Sequence, residues 1–160
     1  MKCIVVYDSV YGNTKQVAEA IADQIKADGN EIALVSLREN TKPVLNGDIM
    51  FLGSPTRVFK MTPAAKNFVK GLKTQGWKDQ PIVMFDTMMG VPEDMAERSM
   101  DKWAVKGAAP KLRDLAKSEG LNAQNAVLHI GVTGLKGPLT VTGKEEARQF
   151  AQQTMASLKK

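Results

Sequence analysis

The sequence is poor in the residues that most metal and covalent chemistry uses. Its 160 residues include one cysteine, Cys3, and one histidine, His129. That excludes an intramolecular disulfide and any Cys/His zinc cluster, and leaves too few parts for cysteine–histidine catalysis. Aromatics are only 6% of the chain. Few of them interleave with basic residues and no nucleic-acid module is recognisable, so nucleic acid is not an expected partner. No apolar run approaches the ~20 residues needed to cross a bilayer. The run Cys3–Tyr7 is also too short for a signal-peptide core. Membrane insertion is therefore not expected, and the expected location is cytoplasmic, where a lone thiol stays reduced.

Acidic residues are missing from one long stretch. Between Ile49 and Lys78 there are none, while Arg57, Lys60, Lys66, Lys70, Lys73 and Lys78 supply six positive charges. The whole chain carries 22 Lys+Arg against 17 Asp+Glu, a net charge of +5. Such a stretch is either a solvated helix face or a surface drawn to something anionic. Glu93, Asp94, Glu97 and Asp101 read as a solvated helix face and not as a metal site.

What is present is ordinary for a globular protein: 43% apolar and 24% charged residues. The length predicts one domain, residues 1–160, large enough to bury a core without staples. Short apolar runs alternate with amphipathic stretches. Lys2–Tyr7, Glu31–Leu37, Asp48–Gly53, Pro81–Asp86 and Asn125–Gly131 read as five strands. Val17, Ile21 and Ile25 recur four apart in a helix over 14–28. Thr62-Pro63 reads as an N-cap followed by proline at the first helical position. A further helix opens near Ala109-Pro110, and Thr142–Glu145 reads as a capping box for the last. Residues 92–103 read as a short helix inside a long loop. The pattern predicts an α/β fold, a doubly wound five-stranded parallel sheet of order 2-1-3-4-5 in a three-layer α/β/α arrangement. Ligands in such sheets bind beyond the carboxyl ends of the strands, so the chemistry belongs just after Tyr7, Gly53 and Asp86.

After the first strand comes Ser9-Val10-Tyr11-Gly12-Asn13-Thr14, running straight into a helix. Glycine in a tight turn lets backbone N–H groups converge, and a helix start favours an anion. The loop contains no lysine, so neutral donors do the binding. After the third strand comes Ser54-Pro55-Thr56-Arg57-Val58-Phe59. No glycine lies between Ser54 and Met61, which disfavours a left-handed backbone there. After the fourth comes Thr87-Met88-Met89-Gly90, the start of a loop long enough to be functional. His129 reads as a packed strand residue. Gly131, Gly134 and Gly137 follow the last strand with the wrong spacing for a dinucleotide fingerprint, and read as a loop rimming the active face.

The segment Ser9–Thr14 resembles the phosphate loop of the flavodoxin family, written [ST]-x-[TY]-G-N-T, in the family's usual place after the first strand. The resemblance implies noncovalent FMN, with its phosphate among Ser9, Val10, Tyr11, Gly12, Asn13 and Thr14. Gly53–Arg57 is similar to a flavin-wrapping loop of the NAD(P)H:quinone reductase relatives of flavodoxin. By that likeness Ser54, Pro55, Thr56, Arg57, Val58 and Phe59 lie along the isoalloxazine, and Thr87, Met88, Met89 and Gly90 supply donors to its pyrimidine edge. Met88, Met89 and Trp103 are candidates to cover a ring face. The tryptophan–tyrosine clamp usual in the family's carriers is not found here.

The resemblance leaves two functions open. One is an electron carrier shuttling between redox partner proteins, its basic stretch matched to an acidic docking surface. The alternative is an NAD(P)H-dependent FMN quinone oxidoreductase, with a nicotinamide and a quinone as small-molecule partners; the spare composition neither requires nor forbids a catalytic side chain. An FMN-storing module is a third option.

Overall fold

In the computed structural model, which describes residues 1–92, 95–98, 102 and 105–159, β1 (Lys2–Tyr7) lies inside a parallel sheet. Its neighbours are β2 (Glu31–Ser36) on one side and β3 (Ile49–Pro55) on the other. β4 (Ile82–Met89) and β5 (Ala123–Val132) continue the sheet, giving the order β2-β1-β3-β4-β5 that the sequence predicts. The reversal of direction falls beside β1, where the chain first leaves the sheet.

Alternating side chains on the buried strands build two cores. Cys3, Val5 and Tyr7 of β1 face the same side as Phe51, Val83 and Phe85, against α1 (Asn13–Ala27) and α5 (Gly143–Leu158). Val17, Ile21 and Ile25 supply the apolar stripe of α1, as their spacing predicts. Ile4, Val6, Met50, Leu52 and Met84 face the other side, against α2 (Pro63–Gly71) and α4 (Ala108–Ser118). Full burial of each large apolar side chain contributes about 1.5–3 kcal/mol, which is why unbroken apolar runs mark the inner strands. β2 forms one edge and is half-exposed, with Leu34 open to solvent.

Element boundaries move where tertiary pairing overrides local signals. Ser54 and Pro55 belong to β3, and Thr87, Met88 and Met89 to β4, although they read as loop. Pairing of Thr87 with Ile130, Met88 with Gly131 and Met89 with Val132 extends the strand into the site. Thr62 caps α2 as predicted, accepting the Ala65 N–H. The capping box at α5 does not form: Thr142 Oγ1 donates to Glu146 Oε2 at 3.0 Å instead of accepting a backbone N–H. Within 92–103, α3 covers Met95–Arg98. No helix among the described residues is long and apolar enough to cross a membrane.

Candidate functional site

The segments leaving the carboxyl ends of β1, β3, β4 and β5 meet in one open cleft. The first contributes Ser9, Val10, Tyr11, Asn13 and Thr14, the second Pro55, Thr56 and Arg57. Thr87, Met88 and Met89 come from β4, and Val132 and Leu135 from β5 and beyond.

At the first segment, the chain passes through Gly12 (φ 93) into α1 at Asn13. Ser9 Oγ accepts the Gly12 N–H at 3.0 Å and fastens the turn. No side chain caps α1 and its first turn holds no acidic residue. The N–H groups of Asn13, Thr14 and Lys15 are therefore left for an anion, which the helix dipole favours there. Asp8, at the start of this loop, is fully buried and accepts from Arg38 Nε at 2.8 Å; its Oδ2 has no hydrogen-bond partner.

The second segment divides into a buried root and an exposed tip. Ser54 is buried and engaged locally, donating to the Pro55 carbonyl and accepting the Thr62 N–H at 3.1 Å. It orients the entry to α2 and does not line the cleft. Arg57 and Lys60 close a turn by exchanging backbone hydrogen bonds at 2.8 and 3.0 Å. At its tip Val58 (φ 50) and Phe59 (φ 65) adopt the left-handed conformation, contrary to what the missing glycine implies. The two closing bonds, with Lys111 Nζ donating to the Phe59 carbonyl, hold the turn in that form. Both side chains point into solvent, Val58 86% and Phe59 72% exposed.

The third segment ties the others together. Thr87 Oγ1 and Thr14 Oγ1 are hydrogen-bonded at 2.8 Å, and Thr56 N–H donates to the Thr87 carbonyl at 2.8 Å. Thr56 Oγ1 accepts the Ala108 N–H at 3.0 Å, joining the cleft wall to the start of α4. One residue back, Asp86 is fully buried between His129 and the Ala109 N–H. Burial pushes its carboxyl up from the ordinary range, partly offset by His129 and the Ala109 and Ala108 N–H groups. His129 is thus packed, as its place in a strand implies, but as the partner of a buried acid. Gly90 follows β4 in an exposed turn (φ 79). Trp103, Met100, Glu93, Asp94 and Asp101 lie outside the described residues.

The segment after β5 (Ala123–Val132) closes the cleft with a hairpin. Val132 pairs with Leu139, and Thr133 N–H donates to the Pro138 carbonyl at 2.9 Å, forming a short hairpin. Gly137 (φ 96) rests on Asn13 so closely that a Cβ would lie 2.4 Å from Asn13 Oδ1. The hairpin tip brings Lys136 Nζ to 5.7 Å from the centre of the Tyr11 ring, which Arg57 Cζ approaches to 6.0 Å. The three glycines 131, 134 and 137 were the sequence signal for this rim; Leu135 and Lys136 carried none.

This arrangement fits FMN. The uncapped α1 and the Ser9–Thr14 backbone offer neutral donors to a phosphate. Met88, Leu135 and Pro55 offer apolar surface to a planar ring, with Thr56 and Thr87 as polar contacts beside it. No group of three His, Cys, Asp or Glu side chains able to hold a metal occurs among the described residues.

Comparison with known proteins agrees. The family model for a flavodoxin domain matches residues 4–130. A flavodoxin of Aquifex aeolicus (strain VF5) is 35% identical over 78 residues, 48% of this chain and 42% of that protein. The match thus spans less than half the length of that curated relative. Among solved structures, a flavodoxin from the domain Archaea superposes with a TM-score of 0.76 at 21% identity, covering 100% of both chains. A WrbA-like flavodoxin protein of Agrobacterium tumefaciens superposes with a TM-score of 0.67 at 19% identity, covering 99% of each chain.

Proposed function

The chain belongs to the flavodoxin family, and from that premise we propose that it is an FMN-dependent electron carrier of the cytoplasm that shuttles between redox partner proteins. The observation that carries this reading is the uncapped N-terminus of α1 opening into the cleft where all four segments meet. Ser9, Val10, Tyr11, Gly12, Asn13 and Thr14 hold the phosphate by backbone N–H groups and short polar side chains. Pro55, Thr56 and Arg57, with Thr87, Met88 and Met89, line the ring, and Gly90 lets the chain turn away from it. Val58 and Phe59 cover its exposed edge. Ser54 acts indirectly, by setting the root of its loop. Bound FMN supplies the electron-transfer chemistry, which no side chain here replaces. The cross-ties Thr14–Thr87, Thr56–Thr87 and Thr56–Ala108 keep the walls in place before a ligand arrives, so little ordering is needed on binding.

The redox partner presents an acidic surface. Lys60, Lys66, Lys70, Lys73 and Lys78 are all exposed, follow the cleft's second segment in sequence, and have no acidic residue interspersed. A one-sign surface of this kind speeds encounter with an oppositely charged protein and orients it.

An NAD(P)H-dependent quinone oxidoreductase is the second reading. It is supported by the likeness of Gly53–Arg57 to the quinone-reductase loop and by the WrbA-like fold neighbour. An absorbance spectrum of the purified protein with added FMN, followed by NADH or NADPH without oxygen, separates the two. The carrier reading expects FMN to bind and stay oxidised until a reductase protein is supplied. Rapid bleaching by the nucleotide alone establishes the second reading, and failure to bind FMN overturns both.

A further inference from the structure

The phosphate loop Ser9–Thr14 carries no charged side chain of its own, yet two cations are brought to it from other parts of the chain. Arg57 arrives from the turn after β3, and Lys136 from the hairpin after β5. Both reach the ring of Tyr11, in the loop itself, at 6.0 and 5.7 Å from its centre. Neither takes part in a salt bridge among the described residues. Gathering two like charges at one ring costs energy that the negative face of the aromatic only partly offsets. The carboxylate at the start of the loop does not relieve it, because Asp8 is already paired with Arg38 at 2.8 Å. The residue after Lys136, Gly137, packs against the side chain of Asn13, the first residue of α1. Lys15, the residue after the loop, is exposed on α1.

Two unpaired cations at the ring of Tyr11, in the loop that leads into uncapped α1, make a site for more negative charge than neutral donors alone would select. We propose that Arg57 and Lys136, gathered on Tyr11, are specificity-determining residues that select FMN over unphosphorylated riboflavin by reading the charge of the phosphate. The pair works from outside the phosphate loop, so its contribution depends on the β3 turn and the β5 hairpin being folded against that loop. This rests on the FMN reading of the cleft.

The test is the affinity of the apoprotein for FMN and for riboflavin, followed by quenching of flavin fluorescence at about 0.02 M and about 0.5 M salt. In the unmodified protein FMN binding weakens with salt and riboflavin binding does not. Lys136→Gln lowers FMN affinity about tenfold at low salt, leaves riboflavin affinity within about twofold, and flattens the salt dependence. Lys136→Arg restores all three. Arg57→Gln, which also removes a side chain lining the ring, lowers FMN affinity by a larger factor than riboflavin affinity. Lys136 is exposed, so its variants keep the fold. Parallel losses for both flavins, an unchanged FMN affinity in Lys136→Gln, or an unchanged salt dependence each overturn the proposal. An unmodified protein that binds FMN while the variants behave in one of those ways defeats this inference alone. One that binds neither flavin defeats the FMN reading with it.

Discussion

His129 Nδ1 lies 2.8 Å from Asp86 Oδ1, across a register in which these two residues are direct partners of β4 and β5. The second carboxylate oxygen accepts the Ala109 N–H at 2.9 Å, so one buried acid fastens the β4–β5 seam to the first turn of α4. Its neighbour Thr87 lines the cleft. The pair therefore sits directly beneath the functional end of the sheet.

Removing the ring leaves that acid short of a partner. His129→Gln is expected to lower stability at neutral pH by about 2 kcal/mol, read from urea unfolding. Because burial raises the folded carboxyl above its ordinary value of 3.8, only the folded state holds the proton in the window above that value. The contribution of Asp86 to stability is thus full below 3.8 and is lost as pH rises through the folded value. In the His129→Gln background, the stability of the Asp86 form relative to Asp86→Asn should fall as pH rises from about 4 to about 7. A flat difference would show that burial does not shift this group.

The turn Arg57–Lys60 holds a β-branched and an aromatic residue where asparagine and glycine are the usual occupants. Val58 (φ 50) and Phe59 (φ 65) bear backbone strain and large exposed surfaces together. Val58→Asn with Phe59→Gly should stabilise the apoprotein by about 1 kcal/mol. On the FMN reading, the same double variant should weaken FMN binding or slow electron transfer, because it removes two large exposed side chains from the tip of the cleft's second segment. A stabler protein with unchanged flavin affinity and transfer rate would assign the turn no functional part.

Gly137 combines a positive φ of 96 with a close approach to Asn13. Gly137→Ala strains the backbone at this positive φ and pushes aside the buried Asn13 side chain at the start of α1. It should weaken FMN binding by at least about tenfold, with a stability loss of about 1–3 kcal/mol. Flavin titration and urea unfolding of one preparation separate the two effects.

Lys66 and Lys70 lie on the exposed side of α2, away from its buried Phe68 and Val69. Lys66→Glu with Lys70→Glu should leave stability within about 0.5 kcal/mol. Electron transfer with an acidic partner should slow by about tenfold or more at low ionic strength and converge with the unmodified protein at high salt. Stopped-flow rates across a salt series measure it, and identical rates would remove the basic stretch from docking.

The sequence by itself determined the sheet and its order. Val5, Phe51 and Phe85 sit in unbroken apolar runs because inner strands bury both faces, and the crossovers between parallel strands leave few ways to connect them. It also marked the cleft's four contributing segments, the first by glycine and small polar residues in the short order that anion-binding turns need, and the last only by Gly131, Gly134 and Gly137. The tertiary structure alone decided the rest. Nothing local pairs Asp86 with His129 or Thr14 with Thr87, since those contacts join residues 43 and 73 positions apart. The left-handed turn at Val58 and Phe59 runs against their intrinsic preference and is held by hydrogen bonds from Arg57, Lys60 and the distant Lys111. Lys136 is one more surface lysine in the sequence. It reaches the Tyr11 ring because the hairpin after β5 packs against the first turn of α1.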